Sequence, residues 1–189
     1  TGGSSAITAL AVNFGNATVC TGNMITNITG SGAITGLTHG TSNQGVQTYS
    51  NNTVTSLISN GTGGNVTGIT GGATTVTTMN INNNTINTLS STGASSTVTG
   101  LAVTAGAIVN AGGNVIHTLS GSGATSPLVR GLSVSSGTTV NVTKNKIYNL
   151  SETGAISTTT SAVNGFLFSG GTTVTASNNL IGDLRAPAA

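Results

Sequence analysis

The sequence predicts an all-β fold wound as a solenoid, one domain over residues 1–189 with about six coils of roughly 31 residues each. Three observations carry this prediction. Thr, Ser, Asn and Gly dominate, yet 35% of residues are apolar and only 3% are charged, against about 25% in an ordinary domain. Val, Ile and Leu recur at fixed spacing, which argues against a disordered linker. Each apolar stretch is too short to fold alone. The 29 glycines and many β-branched residues also disfavour long helices, because Gly costs about 1 kcal/mol against Ala in a helix and Thr, Val and Ile lose rotamer freedom there.

The recurring frame is clearest in "NKIYNL". With its isoleucine as anchor, the equivalent positions are Ile25, Val54, Ile86, Ile116, Ile147 and Ile181, separated by 29, 32, 30, 31 and 34 residues. Two places before the anchors stand Asn23, Asn52, Asn84, Asn114, Asn145 and Asn179, and three places after them Ile28, Leu57, Leu89, Leu119, Leu150 and Leu184. Every copy obeys.

Each copy reads in one order. It opens with a stretch such as "VTGLAV", whose first apolar positions are Ile7, Ile34, Val66, Val98, Val129 and Val163 and whose later ones are Leu10, Leu37, Ile69, Leu101, Leu132 and Phe166. A small residue, Ala9 and then Gly36, Gly68, Gly100, Gly131 and Gly165, stands just before the latter. A second stretch places Cys20, Tyr49, Ile81, Ala111, Val142 and Ala176 five residues before the anchors, an uncharged set suited to an interior. The anchor stretch is third, and a variable segment such as "SGSGATSP" closes the copy. Hairpins built from such short runs are unstable, so each stretch must pair with its equivalent in the next copy.

Parallel pairing one coil away sets like residues about 4.8 Å apart along the axis, and six coils make a rod on the order of 29 Å long. An inward asparagine at a bend is costly unless its amide is bonded. In a stack, each can bond to backbone and to the amides above and below. The six asparagines are therefore expected to form a structural ladder, with the Ile, Leu and Val files filling the interior. Cys20, the single cysteine, falls in a core file and reads as a buried structural thiol.

"VRGLSVSSGTT" followed by "VNVTKNKIYNL" resembles the single-stranded, right-handed parallel β-helix, in which a Gly-hydrophobic strand leads through a turn to V-x-V-x-x-N-x-I. The likeness covers the whole chain. The same residues also fit a leucine-rich-repeat-like solenoid, the alternative fold. That repeat expects a leucine where this chain has Gly15, Gln44, Val76, Gly106, Gly137 and Gly171, and a turn of helix where this chain has "VTGLAV". The closing "NNLIGDLRAPAA" is similar to repeats of large Bacteroidetes surface proteins and adhesins exported by type IX secretion, which implies an extracellular or cell-surface location.

The charged residues exclude several functions. Arg130, Lys144, Lys146 and Arg185 against Glu152 and Asp183 give a net charge of +2, too little for a phosphate-tracking face, so nucleic acid is not expected as a partner. No apolar run reaches the ~18 residues of a membrane-spanning helix. β-Helices often carry polysaccharide lyases and hydrolases, and glycoside hydrolysis needs two placed carboxylates. Glu152 and Asp183 could approach near Arg185, but read as a surface ion pair or loop solvation. His39 and His117 sit at different points of the repeat without fellow ligands, no nucleophile elbow can be assembled, and the glycine runs lack a phosphate-loop lysine. No catalytic residue, metal or cofactor is expected. Asn-x-Ser/Thr triplets at Asn16, Asn60, Asn65 and Asn141 are expected by chance in such a composition.

Outward positions supply the binding candidates. Thr8, Thr35, Thr67 and Thr99 form one file, interrupted by Arg130 and Asn164; Thr48, Asn80, Asn110, Asn141 and Thr175 form another. A flat hydroxyl lattice can match ordered water or a polysaccharide, so ice or a surface glycan is the ligand expected of this face. Neither end shows a capping helix or a charged closing coil, and the chain starts without methionine. These features lead us to expect an uncapped segment of a longer rod, or a subunit stacking end to end. The leading expectation is an extracellular structural or adhesive solenoid, in a stalk or a fibre. A binding module with an outer Thr/Asn face and a non-catalytic fragment of a polysaccharide-degrading enzyme are the alternatives.

Overall fold

A computed structural model describes residues 4–125, 127–154 and 162–186, with side chains described throughout except at Thr41. All regular structure in these residues is β, arranged as three parallel sheets of six strands. Sheet A takes Ile7–Gly15, Ile34–Asn43, Val66–Gly71, Thr97–Val103, Leu128–Val134 and Val163–Phe168. Sheet B takes Val19–Thr21, Gly45–Ser50, Val76–Asn82, Ile108–Gly112, Thr139–Thr143 and Thr173–Ser177, and sheet C Met24–Gly30, Thr53–Ser59, Thr85–Ser91, Val115–Gly121, Lys146–Glu152 and Leu180–Arg185. The chain visits A, B and C in turn, so each strand pairs with the strand one coil away. The arc where a leucine-rich repeat would carry helix is strand instead, because its β-branched "VTGLAV" stretches pair in parallel to form sheet A.

Register aligns like with like. Ile25 pairs with Val54, Val54 with Ile86, Ile86 with Ile116, Ile116 with Ile147 and Ile147 with Ile181. The interior follows directly: Val54, Ile86, Ile116 and Ile147, with Leu57, Leu89, Leu119 and Leu150, are wholly buried. Burial of each such side chain is worth about 1.5–3 kcal/mol. The terminal coils have a neighbour on one side only, leaving Ile181 and Leu184 exposed.

The small residue of each sheet A strand is sterically required. A Cβ on Gly100 would lie 2.5 Å from Ile116 Cγ2 and 2.7 Å from Gly131 O, and one on Gly68 would lie 2.6 Å from both Ile86 Cγ2 and Gly100 O. Sheet A thus lays its backbone against the anchor side chains of sheet C. A second glycine file, seven residues after the anchors, lines the turn from C to A. There a Cβ on Gly93 would come 1.8 Å from Gly61 O, and one on Gly123 2.0 Å from Gly93 O.

Two columns of left-handed backbone complete each coil. The residue before the ladder asparagine has positive φ in every coil: Gly22, Asn51, Asn83, Gly113, Lys144 and Asn178. So does the residue two after the anchor: Asn27, Ser56, Thr88, Thr118, Asn149 and Asp183. Asn and Asp tolerate this region, whereas threonine there is uncommon because its branched Cβ crowds the backbone.

Candidate functional site

The most completely bonded polar feature is the asparagine column at the bend from sheet B to sheet C. Asn52 donates from its backbone N–H and from Nδ2 to Asn84 Oδ1, at 2.9 and 3.0 Å. Asn84 makes the same pair to Asn114 at 3.0 and 3.0 Å, Asn114 to Asn145 at 3.0 and 2.9 Å, and Asn145 to Asn179 at 2.8 and 3.0 Å. Asn23 opens the column on Asn52 at 3.1 and 2.9 Å. The remaining Nδ2 hydrogen goes to backbone of the preceding coil, as from Asn84 to Tyr49 O at 2.9 Å and Asn114 to Ile81 O at 2.8 Å. Asn52, Asn84, Asn114 and Asn145 are buried with their amides bonded, which removes the desolvation cost of burying them.

This column has a direction. Every Oδ1 accepts from the coil before it and every backbone N–H donates to the coil after it. At the two ends, and among the described residues, Asn23 Oδ1 is therefore an acceptor, and Asn179 N–H a donor, with no coil opposite. Apolar side chains flank both: Met24 at the first coil, and Leu180 and Ile181 at the last, are exposed.

The candidate Thr/Asn face divides differently. Thr8 is exposed and Thr35 and Thr67 are half-buried, but Thr99 is only 6% exposed, set beside Arg130 in the sheet. The second file lies on another sheet, so the two do not make one plane. Within it Asn110 donates to Asn80 and Asn141 to Asn110, both at 2.9 Å. These amides bond along the rod, with Thr48 and Thr175 beyond them. Thr99 therefore does not belong to an exposed lattice, and the asparagines bond to each other as well as facing outward.

The catalytic candidates separate as well. Glu152 is wholly buried rather than solvated in a loop, its Oε1 accepting from Gly154 N–H, and burial raises its pKa. Asp183 instead pairs with Arg185 at 3.1 Å on the surface. One carboxyl faces inward and the other outward, so no paired-carboxylate site forms. His39 is buried edge-on to Tyr49 at 5.6 Å between centroids, and its pKa is lowered by burial. Cys20 is buried too, accepting from Asn23 Nδ2 at 3.3 Å, and its thiol pKa is raised by burial, which disfavours the reactive thiolate. Among the described residues no three His, Cys, Asp or Glu side chains gather to hold a metal ion. A surface groove of about 310 Å³ is lined by Thr74, Ser136, Thr138, glycine and alanine, with no ionisable group.

One cluster escapes the sequence reading. The outer file one residue after the anchors runs Thr26, Thr55, Asn87, His117, Tyr148 and Gly182. His117 and Tyr148 stack face to face at 4.8 Å and 11°, and Lys146 Nζ lies 4.9 Å from the Tyr148 ring centre. Thr118 Oγ1 contacts His117 Nδ1 at 2.9 Å and accepts from Asn149 Nδ2 at 3.0 Å, and Arg185 Nη2 donates to Asn149 Oδ1. The signal was present in two ring-bearing residues one place after consecutive anchors.

Fold and ladder together define a parallel β-solenoid. No family model matches the chain, and neither curated proteins nor solved structures give a match.

Proposed function

We propose that this chain is a non-catalytic structural or adhesive rod element of an extracellular or cell-surface protein, working by coil-on-coil stacking within a stalk or an end-to-end fibre. The observation that supports it is the polarity of the asparagine column. Its first coil offers an Oδ1 acceptor and its last an N–H donor at the same place in the coil, each beside exposed apolar residues. A coil set on either end, from a second copy or from the same longer chain, continues the ladder and covers those residues. Head-to-tail contacts of this kind repeat without closing, which is how filaments arise. An uncharged, hydroxyl-rich exterior and an interior of stacked aliphatic files suit a stiff rod.

Electron microscopy and sedimentation of the purified chain test the proposal. The expected result is concentration-dependent fibres with a subunit repeat of about 29 Å, lost on Leu180→Lys with Ile181→Lys while the circular dichroism of the β fold persists. A monodisperse monomer at every concentration, unchanged by those substitutions, overturns end-to-end assembly.

A further inference from the structure

The geometry points to an acid-operated latch in the second coil: the first coil closes only over a neutral His39, and a proton on that buried ring releases residues 7–21 from the rod. This goes beyond the stacking proposal and stands whether or not the chain forms fibres.

Four polar side chains meet where sheet A passes to sheet B in the second coil. His39, Asn43, Gln47 and Tyr49 are all buried there. Elsewhere the same files are apolar: Val12, Val103 and Val134 share the file of His39, and Met79, Val109 and Val140 that of Gln47. The polar corner also carries the first coil. Asn43 Nδ2 donates to Val12 O at 2.7 Å and Gln47 Nε2 to Gly15 O at 2.9 Å, and Val12 and Gly15 are the register partners of His39 and Asn43.

The imidazole is the weak member of this corner. Its ring stands edge-on to Tyr49, and neither nitrogen has a hydrogen-bond partner of ordinary geometry among the described residues. Tyr49 and its register partner Cys20 are the titratable groups on the sheet B side; burial raises both pKa values, so both stay neutral in acid. Asn43 and Gln47 carry no charge, and the third coil offers the Gly72 backbone, Met79 and Ile81. All four basic and both acidic side chains belong to the last two coils. Glu152, in the nearer of these, is three coils away, roughly 14 Å, whereas a carboxylate must lie within about 4–6 Å to favour an imidazolium. A proton on His39 therefore creates a buried charge without a partner, which is why burial lowers its pKa despite a smaller opposing pull from the Gly72 backbone.

The first coil is the part that yields. It has a neighbour on one side only, and Cys20 and Ile25 are its only buried side chains among the described residues. The third coil is stacked on both faces, with Val66, Ile69 and Ile81 wholly buried. Local opening follows the region with least buried apolar contact. Asn23, the acceptor end of the ladder, belongs to this first coil, so acid acts on the end that receives another coil.

Hydrogen exchange of the purified chain tests the latch at about pH 7.5 and about pH 5, either side of the ordinary imidazole value of 6.5. Each rate is divided by the intrinsic rate at that pH. Protection of residues 7–21 should fall about tenfold or more at the lower pH, while Thr85–Ser91 and Val115–Gly121 keep theirs. His39→Val, which installs the residue of three other coils, should remove the fall. His39→Gln should do the same and keeps a polar side chain without the charge, so the comparison survives if valine packs poorly. His117→Val, at the other histidine, should leave the fall intact. Constant protection in the wild type, a fall that persists in either His39 variant or disappears in His117→Val, or an equal loss across all six coils overturns the proposal.

Discussion

The two bends flanking sheet C obey different rules. From B to C, two residues suffice in every coil, as at Asn51–Asn52, Asn83–Asn84 and Gly113–Asn114, and they always pair a left-handed residue with a ladder asparagine. From C to A the connection ranges from the three residues 31–33 to the long segment 153–162. The difference lies in what each bend must satisfy. At B to C a buried side chain bonds to the coils on both sides, so changing its length or identity strands partners in two neighbours. At C to A the stack requires a close approach of backbone at Gly61, Gly93, Gly123 and Gly154, and the bonds beyond it are local or reach one neighbouring coil, as from Ser96 Oγ to Gly93 O and from Gly63 N–H to Ala94 O. The uneven spacing of the repeat is largely a property of this second bend.

The hardest way to break the contrast is to remove one rung. Asn114→Leu leaves Asn84 N–H and Nδ2 without their acceptor and Ile81 O without its donor. At about 1–3 kcal/mol for each buried unsatisfied group, urea unfolding should lose roughly 4 kcal/mol or more. A Gly-Ser insertion between Asn83 and Asn84 should be comparably damaging. The same insertion after Ala94 should cost less, about 1–3 kcal/mol, because it disturbs a few single bonds such as Gly63 N–H to Ala94 O and Ser95 N–H to Thr125 O and adds little loop-closure entropy. Equal costs at the two bends would erase the distinction drawn here.

Gly93→Ala sharpens it from the other side. Its Cβ would overlap Gly61 O, so backbone must shift, at about 1–3 kcal/mol by analogy with overpacking. The variable bend is thus fixed at its glycine while its length changes from coil to coil.

Glu152, at the end of its sheet C strand, makes the variable bend sensitive to acid. Burial raises its folded pKa above the ordinary 4.5, so the stability of the protonated form is fully present below about pH 4.5 and is lost as pH rises through the folded value. His39 works oppositely: its pKa is lowered from 6.5, so its contribution is present above pH 6.5 and lost on acidification. Comparing Glu152→Gln with wild type isolates the first term. The variant should be the more stable at pH 7, and its advantage should fade toward pH 4.5. A constant difference across that range would show that Glu152 does not titrate with folding.

The smallest expected effect is Thr88→Asn, which replaces a branched residue in left-handed backbone at φ 55° with one that tolerates it. Thermal unfolding should register a gain of about 0.5–1 kcal/mol.

Much of this was legible because a solenoid writes each requirement six times over. The anchors, the asparagines and the small residue before Leu101 or Leu132 could be read as files before any coordinates, since each copy repeats them. The glycine seven places after the anchors obeys the same arithmetic, but in a chain of 29 glycines it does not stand out. Thr99 reads as an outward threonine by alternation, yet lies buried beside Arg130, a residue of a different copy. Glu152 reads as a surface acid until its file is seen to run through the buried Ser59 and Ser91. The His117–Tyr148 stack exists in only two copies, so the repeat frame marks the two rings one place after consecutive anchors but does not single them out as it does the files that recur in every coil. Sequence repetition reports what every coil shares, and the features that distinguish coils emerge from the stacked structure.

The central claim is that residues one repeat apart are nearest neighbours along the axis, as Thr55 Oγ1 and Asn87 Oδ1 are at 2.6 Å. Cysteine crosslinking in a Cys20→Ser background measures this directly. Thr55→Cys with Asn87→Cys should oxidise readily to an intramolecular disulfide, because Cα atoms at strand spacing lie within disulfide reach. Thr55→Cys with His117→Cys, two coils apart, should stay reduced within the monomer. Crosslinking of the distant pair but not the adjacent one would contradict the account.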